Sequence, residues 1–415
     1  MSDDSITVLG LGYVGLPLAL NLAKAGFDVT GFDLVSEKIE SLKLGKSYIA
    51  DISDSEISAV VKDFNFAASS DLTKSNTYII CVPTPLTDSG ESDISLIQNA
   101  SQLISDVLAI GDLVVLESST YPGTTEEVMI PILEKSGLKA GIDFFVGYAP
   151  ERVNPGGNIS YRLVNRVVSG LSPNCLEKVY EIYSKICDNV FKSNSIKAAE
   201  VSKLLENSYR LVNISLINSL VKYCEKIDIS ISDVIEAAKT KPFGFSAFYP
   251  SLGAGGHCIP IDPVYLSEQM EDLNLDTSLI RSAQKTNDEM HIWIQQKIEK
   301  LLSAVSKAHK ILIFGVTYKE NVNDIRHSYA IDLLEKLSVK FDADFFDPLI
   351  NKVDIMGTTK SGLNLNDINL NNFDLLVLNH SVPETLFKDL ENQNLIILDL
   401  QSIPLNLRHE HYVKL

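Results

Sequence analysis

A chain of 415 residues, 45% hydrophobic and 22% charged, is long enough for two or three domains with ample cores and has the make-up of an ordinary globular protein. Its net charge of −18 and pI near 4.8 argue against nucleic acid as a partner and against an anionic membrane surface; any phosphate ligand must be held by local dipoles and a few placed cations. The five cysteines (Cys81, Cys175, Cys187, Cys224, Cys258) include no Cys-x-x-Cys pair. Together with the acidic first residues and the lack of any run of about 18 apolar residues, this points to reduced thiols in a cytoplasmic protein without signal peptide or membrane span.

Residues 5–10 read as a strand that runs into the glycine turn Gly10-Leu-Gly12-Tyr-Val-Gly15. The spacing of Leu16, Leu18, Ala19, Leu22 and Ala23 predicts a helix stopped at Gly26. Asp28 to Phe32 predicts a second strand ending on Asp33, 18 residues after Gly15. Strand, glycine turn, helix, strand and acid in this order form a dinucleotide fingerprint. The glycines let a pyrophosphate approach the backbone at the helix N-terminus, and Asp33 can accept hydrogen bonds from ribose hydroxyls, which favours NAD over NADP.

Further parallel strands are expected at Thr77 to Val82, Leu113 to Glu117 and Phe144 to Tyr148, each leading into a turn with a polar residue: Thr84, Thr120 and Glu151. The carboxyl ends of strands line the ligand crevice of an open α/β sheet, which favours a functional role for Thr120 and Glu151; Thr84 fits turn chemistry equally well. Residues 195–227 contain neither Gly nor Pro and predict one long helix. From Leu204 onward its apolar residues lie on several faces, as expected of a helix buried between domains or subunits. Lys203 and Asn207 are four apart and share a face, although a lysine on a helix is ordinarily solvated surface.

A loop rich in glycine and aromatics follows, from Lys239 to Asp262, ending Gly253-Ala-Gly-Gly-His-Cys-Ile-Pro-Ile-Asp262. Cys258 on this glycine loop, four residues before a carboxylate, reads as a nucleophile; the plainer reading is a small buried hydrophobe. A zinc site at His257 and Cys258 lacks the second Cys/His pair it would need, so no metal is expected. Helical residues through Arg281, Asn287 and Asp288 run to about Leu302. The opening pattern then recurs: strand Lys310 to Gly315, helix 328–338, strand Ala343 to Phe346 ending on Asp347, and strands Phe373 to Leu378 and Leu395 to Leu400. Where the first half has glycines, this half has Val316-Thr-Tyr-Lys319-Glu-Asn and Asp324-Ile-Arg326. That exchange suits a different phosphate ligand, or else a scaffold domain with surface charge.

Taken together, these motifs resemble the UDP-glucose/GDP-mannose dehydrogenase family along essentially the whole chain. The likeness rests on residues 10–19, Val-Pro-Thr-Pro (82–85), Ser-Ser-Thr-Tyr-Pro (118–122), Ala-Pro-Glu-Arg-Val-Asn-Pro-Gly (149–156), Lys203-Leu-Leu-Glu-Asn207, Phe248-Tyr-Pro with Gly253 to Pro263, and Gly315 to Arg326. It implies an α/β fold of two Rossmann-like doubly wound domains joined by a long central helix and a helical dimerisation region. The expected domains are an NAD-binding domain at 1–194, a central helical domain with the cysteine loop at 195–302, and a UDP-sugar-binding domain at 303–415.

The resemblance further implies a four-electron oxidation of a nucleotide-sugar C6 alcohol to a carboxylate with two NAD in turn, through a thiohemiacetal and a thioester on Cys258. By the same likeness Lys203 and Asn207 stabilise an oxyanion, Glu151 activates the hydrolytic water, and Thr120 and Asp262 position it. The expected cofactor contacts are Gly10, Gly12, Tyr13, Val14, Gly15, Asp33, Lys38, Thr84 and Thr120. Those of the substrate are Glu151, Arg152, Lys203, Asn207, Tyr249, Gly255, Lys319 and Arg326.

Two departures bear on substrate. Pro155 stands where UDP-glucose dehydrogenases resembling this chain carry a second glutamate, which together with Lys-Pro-Phe-Gly-Phe (241–245) looks like the branch acting on UDP-N-acetylhexosamines, UDP-N-acetylglucosamine first. UDP-N-acetylmannosamine, UDP-N-acetylgalactosamine and UDP-glucose stay open. Ser251 and Ala254 depart from the family pattern: the loop reads Tyr-Pro-Ser-Leu-Gly-Ala-Gly-Gly where relatives often read Pro-Gly-Pro-Gly-Leu-Gly-Gly, which leaves it one glycine poorer. A two-electron hydroxyacid dehydrogenase and a non-catalytic nucleotide-sugar sensor are the rival readings. The apolar bridging helix predicts a homodimer or higher homo-oligomer.

Overall fold

The computed structural model describes residues 5–154, 156, 157, 159–303, 309–383, 386, 390, 395–401 and 411–415. Pro155 lies outside the described residues. The chain divides into two compact units, Met1–Glu206 with Ile261–Leu275, and Asn207–Pro260 with Asp276–Leu415.

The first unit is built on one sheet of strands β1 (Ser5–Leu9), β2 (Asp28–Phe32), β3 (Phe66–Ser69), β4 (Thr77–Ile80), β5 (Leu113–Leu116), β6 (Phe145–Tyr148), β7 (Arg166–Gly170) and β8 (Val190–Lys192). Their order is β3-β2-β1-β4-β5-β6-β7-β8. All neighbours pair in parallel except β6 and β7. The central strands are continuous apolar runs, such as Leu113-Val-Val-Leu116, because helices cover both faces of a parallel sheet and leave no side for polar residues.

The helix Gly15–Lys24 fills one of those faces, with Leu16, Leu18, Ala19, Leu20, Leu22 and Ala23 all buried. Each such leucine contributes about 1.5–3 kcal/mol relative to exposure. Strand order reverses between β1 and β4, whose carboxyl ends open the crevice where α/β sheets bind ligands.

The second unit carries the parallel sheet β10-β9-β13-β14-β15, from β9 (Lys310–Phe314), β10 (Asp342–Phe346), β13 (Leu375–Leu378), β14 (Ile396–Asp399) and β15 (Tyr412–Lys414). An antiparallel hairpin of β11 (Lys352–Ile355) and β12 (Thr358–Ser361) stands apart from it, turned through Met356 and Gly357 at φ 49° and 74°. The architecture is thus α/β with two Rossmann-like sheets. The long helix Ile196–Lys226 runs for 31 residues, and the division between units falls within it.

The two halves share one construction at the first strand end. Gly10 (φ 92°) is followed by the Leu11 N–H donating to Asp33 Oδ2 at 2.9 Å; Gly315 (φ 90°) is followed by the Val316 N–H donating to Asp347 Oδ2 at 2.8 Å.

Candidate active site

In the first unit the turn after β1 is shaped by what its glycines touch. A Cβ at Gly10 would stand 2.8 Å from the Cys81 carbonyl oxygen, and one at Gly15 only 1.9 Å from that of Gly10. Gly12 has nothing within 4 Å of where a Cβ would be, so the backbone there is open to a ligand. Tyr13 and Val14 pack on the core beside it.

Asp33 is buried and fixed: Oδ2 accepts from the Leu11 N–H and from Lys38 Nζ at 2.8 Å, and Oδ1 from the Val35 N–H at 3.0 Å. The Tyr48 hydroxyl, which sequence reasoning missed, donates to the Leu11 carbonyl at 2.7 Å. An open glycine turn at a buried helix N-terminus, with an anchored carboxylate on the next strand, fits the pyrophosphate and ribose of a dinucleotide. Thr84 is half-buried in the turn after β4.

Further along this crevice, Thr120 is fully buried and its hydroxyl donates to that of Thr124 at 2.7 Å. The helical turn at Thr124–Met129 is capped from the long helix: Glu200 accepts from the N–H groups of Gly123 (2.6 Å) and Thr125 (3.0 Å) and from the Thr125 hydroxyl (2.7 Å). One turn on, Lys203 donates from Nζ to the main-chain carbonyl of Glu151 at 2.6 Å. Asp262 is buried as the first residue of the helix Asp262–Asp272. Arg152 lays its guanidinium on Glu206 at 2.6 Å and on the Asn165 carbonyl at 2.8 Å.

The Glu151 carboxylate is held by four donors. Oε1 takes the N–H groups of Arg152 and Val153 at 2.6 and 2.7 Å; Oε2 takes Arg166 Nη2 at 2.8 Å and the Tyr161 hydroxyl at 3.3 Å. Burial opposes its ionisation, but Arg166 and the backbone donors outweigh this and hold it below the usual carboxylate range.

Arg166, itself buried, also reaches Glu117 Oε1 at 3.2 Å, where the Tyr183 hydroxyl donates at 2.7 Å; Cys81 Sγ donates to Oε2 at 3.4 Å. Burial pushes Glu117 up to about 7, with the Glu151 charge adding to it and Arg166 opposing. A connected set of hydrogen bonds and packing contacts therefore runs from the glycine turn through Cys81, Glu117, Arg166 and Glu151 to Lys203.

In the second unit the cysteine loop lies against residues 318–329, and its glycines are there because side chains would not fit. A Cβ at Gly253 (φ 125°) would meet the Tyr329 ring at 2.7 Å, one at Gly255 the His327 carbonyl at 2.3 Å, and one at Gly256 (φ 82°) the Tyr318 ring at 2.6 Å. Asn287 clamps the loop through both backbone groups of Ala254, accepting its N–H at 2.7 Å and donating to its carbonyl at 3.0 Å. Asn218 accepts the Ser251 N–H at 3.0 Å. The two unusual loop residues are thus tied by their main chains.

Cys258 is the one partly exposed cysteine of the five; the other four are buried. Asn207 is buried, and Tyr249 is half-buried with its hydroxyl donating to Glu236 at 3.3 Å. Lys319 is half-buried, with its carbonyl accepting from Thr317 Oγ1 at 2.9 Å. Arg326 grips the buried Asp324 through Nε at 3.0 Å and Nη2 at 2.6 Å.

Residues 4–187 match the NAD binding domain, residues 197–289 the central domain and residues 312–403 the UDP binding domain of the UDP-glucose/GDP-mannose dehydrogenase family. The chain belongs to this family. Like the rest of the UDP-glucose/GDP-mannose dehydrogenase family it is an oxidoreductase, an NAD-dependent nucleotide-sugar 6-dehydrogenase.

A Pseudomonas aeruginosa protein named UDP-N-acetyl-D-glucosamine 6-dehydrogenase is 37% identical over 368 residues, 86% of this chain and 85% of that protein. A Pyrococcus horikoshii UDP-N-acetyl-D-mannosamine dehydrogenase is 35% identical over 362 residues, 83% of this chain and 84% of that protein. The solved structure of the P. horikoshii UDP-D-ManNAc dehydrogenase matches with a TM-score of 0.86 at 29% identity, covering 99% of this chain and 98% of that one.

For this family member the sequence missed Glu117, Arg166, Tyr183 and Glu200. The available signal was a charge at the end of an apolar strand: Glu117 closing Leu-Val-Val-Leu, and Arg166 opening Val-Val-Ser-Gly. Among the described residues no group of three or more His, Cys, Asp or Glu is arranged to hold a metal, and no helix is long and apolar enough to cross a membrane.

Proposed function

We propose that the chain oxidises the C6 alcohol of a UDP-N-acetylhexosamine to the uronic acid, by a four-electron route through Cys258. The observation that carries this reading is Cys258 itself, the partly exposed thiol among four buried ones, on a loop clamped at Ala254 and pressed flat by its glycines. A packing cysteine needs no such mounting; a nucleophile does.

NAD, when bound, accepts the hydride that leaves C6 in each of the two oxidations. Cys258 adds its sulfur to the aldehyde formed first, giving a thiohemiacetal that cannot diffuse away while cofactor is exchanged. Oxidation of that adduct gives a thioester, and water then releases the carboxylate and restores the thiol. Lys203 and Asn207 are assigned to the oxyanion, where a preorganised donor contributes about 2.7–4 kcal/mol. Glu151, Thr120 and Asp262 are assigned to the hydrolytic water. The four donors on Glu151 keep it ionised but weaken it as a proton acceptor, so its part is to orient the water more than to hold its proton. Gly12, Asp33 and Lys38 are assigned to the cofactor, and Lys319 and Arg326 to the diphosphate of the substrate.

UDP-N-acetylglucosamine is the proposed substrate. It is supported by Pro155 in place of a second glutamate and by the name of the 37% identical P. aeruginosa relative. The 35% identical P. horikoshii relative makes UDP-N-acetylmannosamine the second reading. The test is kcat/KM for NADH formation with both, with UDP-N-acetylgalactosamine and with UDP-glucose. Highest kcat/KM for UDP-N-acetylglucosamine supports the assignment, and preference for UDP-glucose contradicts the branch.

A homodimer is proposed on the long helix, where Tyr209, Leu216 and Tyr223 recur every seven residues on one face and are 49%, 55% and 58% exposed. Sedimentation as a monomer at micromolar concentration contradicts it.

A further inference from the structure

Asp33 is paired with a cation that its position does not require. Backbone donors already fix both of its carboxylate oxygens, the Leu11 N–H on Oδ2 at 2.9 Å and the Val35 N–H on Oδ1 at 3.0 Å. Lys38 Nζ adds a third contact, at 2.8 Å to Oδ2. What it brings is therefore charge more than orientation. The same ammonium lies 5.9 Å from the centroid of the Tyr48 ring, whose hydroxyl is tied to the Leu11 carbonyl at 2.7 Å. Carboxylate and aromatic face together hold the cation at the end of β2, beside the glycine turn.

The Lys38 side chain is 31% exposed, against 8% for that of Asp33. An ammonium has three donors, and among the described residues Asp33 is its only hydrogen-bond partner, so donors remain for a ligand. Leu34 and Val35, between the acid and the helix Ser36–Lys43, are exposed and offer apolar surface to an adenine whose ribose lies on Asp33. Glu37, in the first turn of that helix, is exposed, and water screens its charge.

In dinucleotide sites an acid after the second strand takes the ribose 2′-hydroxyl of NAD, and a nearby cation accommodates the 2′-phosphate of NADP. Here acid and cation stand together. We propose that Lys38 is a specificity-determining residue for the cofactor: it offsets the charge by which Asp33 excludes a 2′-phosphate, and leaves the site one substitution away from binding NADP. The inference rests on the assignment of Asp33 to the adenosine ribose. While Asp33 is ionised it engages Lys38 and repels a phosphate. Once Asp33 is made neutral, the ammonium has no carboxylate to neutralise and pairs with the phosphate instead, with Tyr48 still beside it.

The test reads affinity, not turnover. Calorimetry with full-length protein gives Kd for NAD, NADP and adenosine 2′,5′-bisphosphate. Asp33→Asn is expected to weaken NAD and to tighten NADP and the bisphosphate by about tenfold relative to the parent, the effect of removing a like charge at close range. Adding Lys38→Met to Asp33→Asn is expected to abolish that gain. If Asp33→Asn does not fold, Lys38→Met in the parent carries the test, because it is expected to weaken NADP more than NAD. Retention of the gain without Lys38, or equal weakening of NAD and NADP by Lys38→Met alone, overturns the proposal. The two readings separate in Asp33→Asn: weaker NAD with no gain in NADP leaves Asp33 on the ribose and overturns only the role of Lys38. Unchanged NAD affinity removes Asp33 from the ribose and the proposal with it.

Discussion

The Lys203 ammonium donates to the main-chain carbonyl of Glu151, and the same residue's carboxylate is gripped by Arg166. The cation assigned to the oxyanion is therefore aimed by a loop whose own anchor is a buried guanidinium.

Removing that anchor leaves two buried carboxylates, Glu117 and Glu151, without their shared cation. Arg166→Met is expected to lower stability by about 3–5 kcal/mol, the loss typical when one partner of a buried pair is removed. Urea denaturation checks this, and a loss below about 1 kcal/mol contradicts the network as described.

Lys203 is only half-buried, so its removal spares the fold. Lys203→Met is expected to lower kcat by roughly 10²–10³, the effect of deleting one oxyanion donor, at nearly unchanged melting temperature. Steady-state kinetics beside a thermal melt distinguish this from a stability defect.

Glu117 is raised from 4.5 to about 7, so the folded state binds its proton more tightly than the unfolded state. That contribution to stability is fully present below the unfolded value and is lost as pH rises from about 4.5 through about 7. Glu117→Gln is expected to remove this loss: the stability difference between variant and parent changes over that window and is flat above it. Unfolding free energies at a series of pH values check the sign, and a difference constant across the window contradicts it.

Gly255 has no room for a side chain, because a Cβ would stand 2.3 Å from the His327 carbonyl oxygen, which is backbone and cannot swing aside. Gly255→Ala is expected to cost about 1–3 kcal/mol in stability and to depress turnover by displacing Cys258, with NAD affinity preserved. Parent-like turnover contradicts the fit of the loop.

Much of the first half was legible because its glycines answer to backbone geometry. Gly10 and Gly15 make the tight turn their spacing predicts, Asp33 follows the second strand, and the strands that were expected there fall within two residues of expectation. Strand β7, antiparallel to β6, escaped notice because it opens on a charged residue, Arg166, whose burial depends on two carboxylates distant in sequence. The β11–β12 hairpin escaped because its turn places Met356, and not Asn or Asp, at positive φ.

In the site, Cys258 was marked by its glycines, yet the glycines serve first to lay the loop on Tyr318, His327 and Tyr329. Arg326 was marked by its charge, but its hold on Asp324, a pairing of residues two apart, is one that no spacing rule announces.

The central claim is a four-electron oxidation through Cys258. The most direct test is the NADH yield per sugar, with limiting UDP-N-acetylglucosamine, excess NAD and purified protein, in the parent and in Cys258→Ser. Two NADH per sugar in the parent, lost in the variant, is the predicted result. One NADH per sugar, or an unchanged yield in Cys258→Ser, contradicts the thioester route.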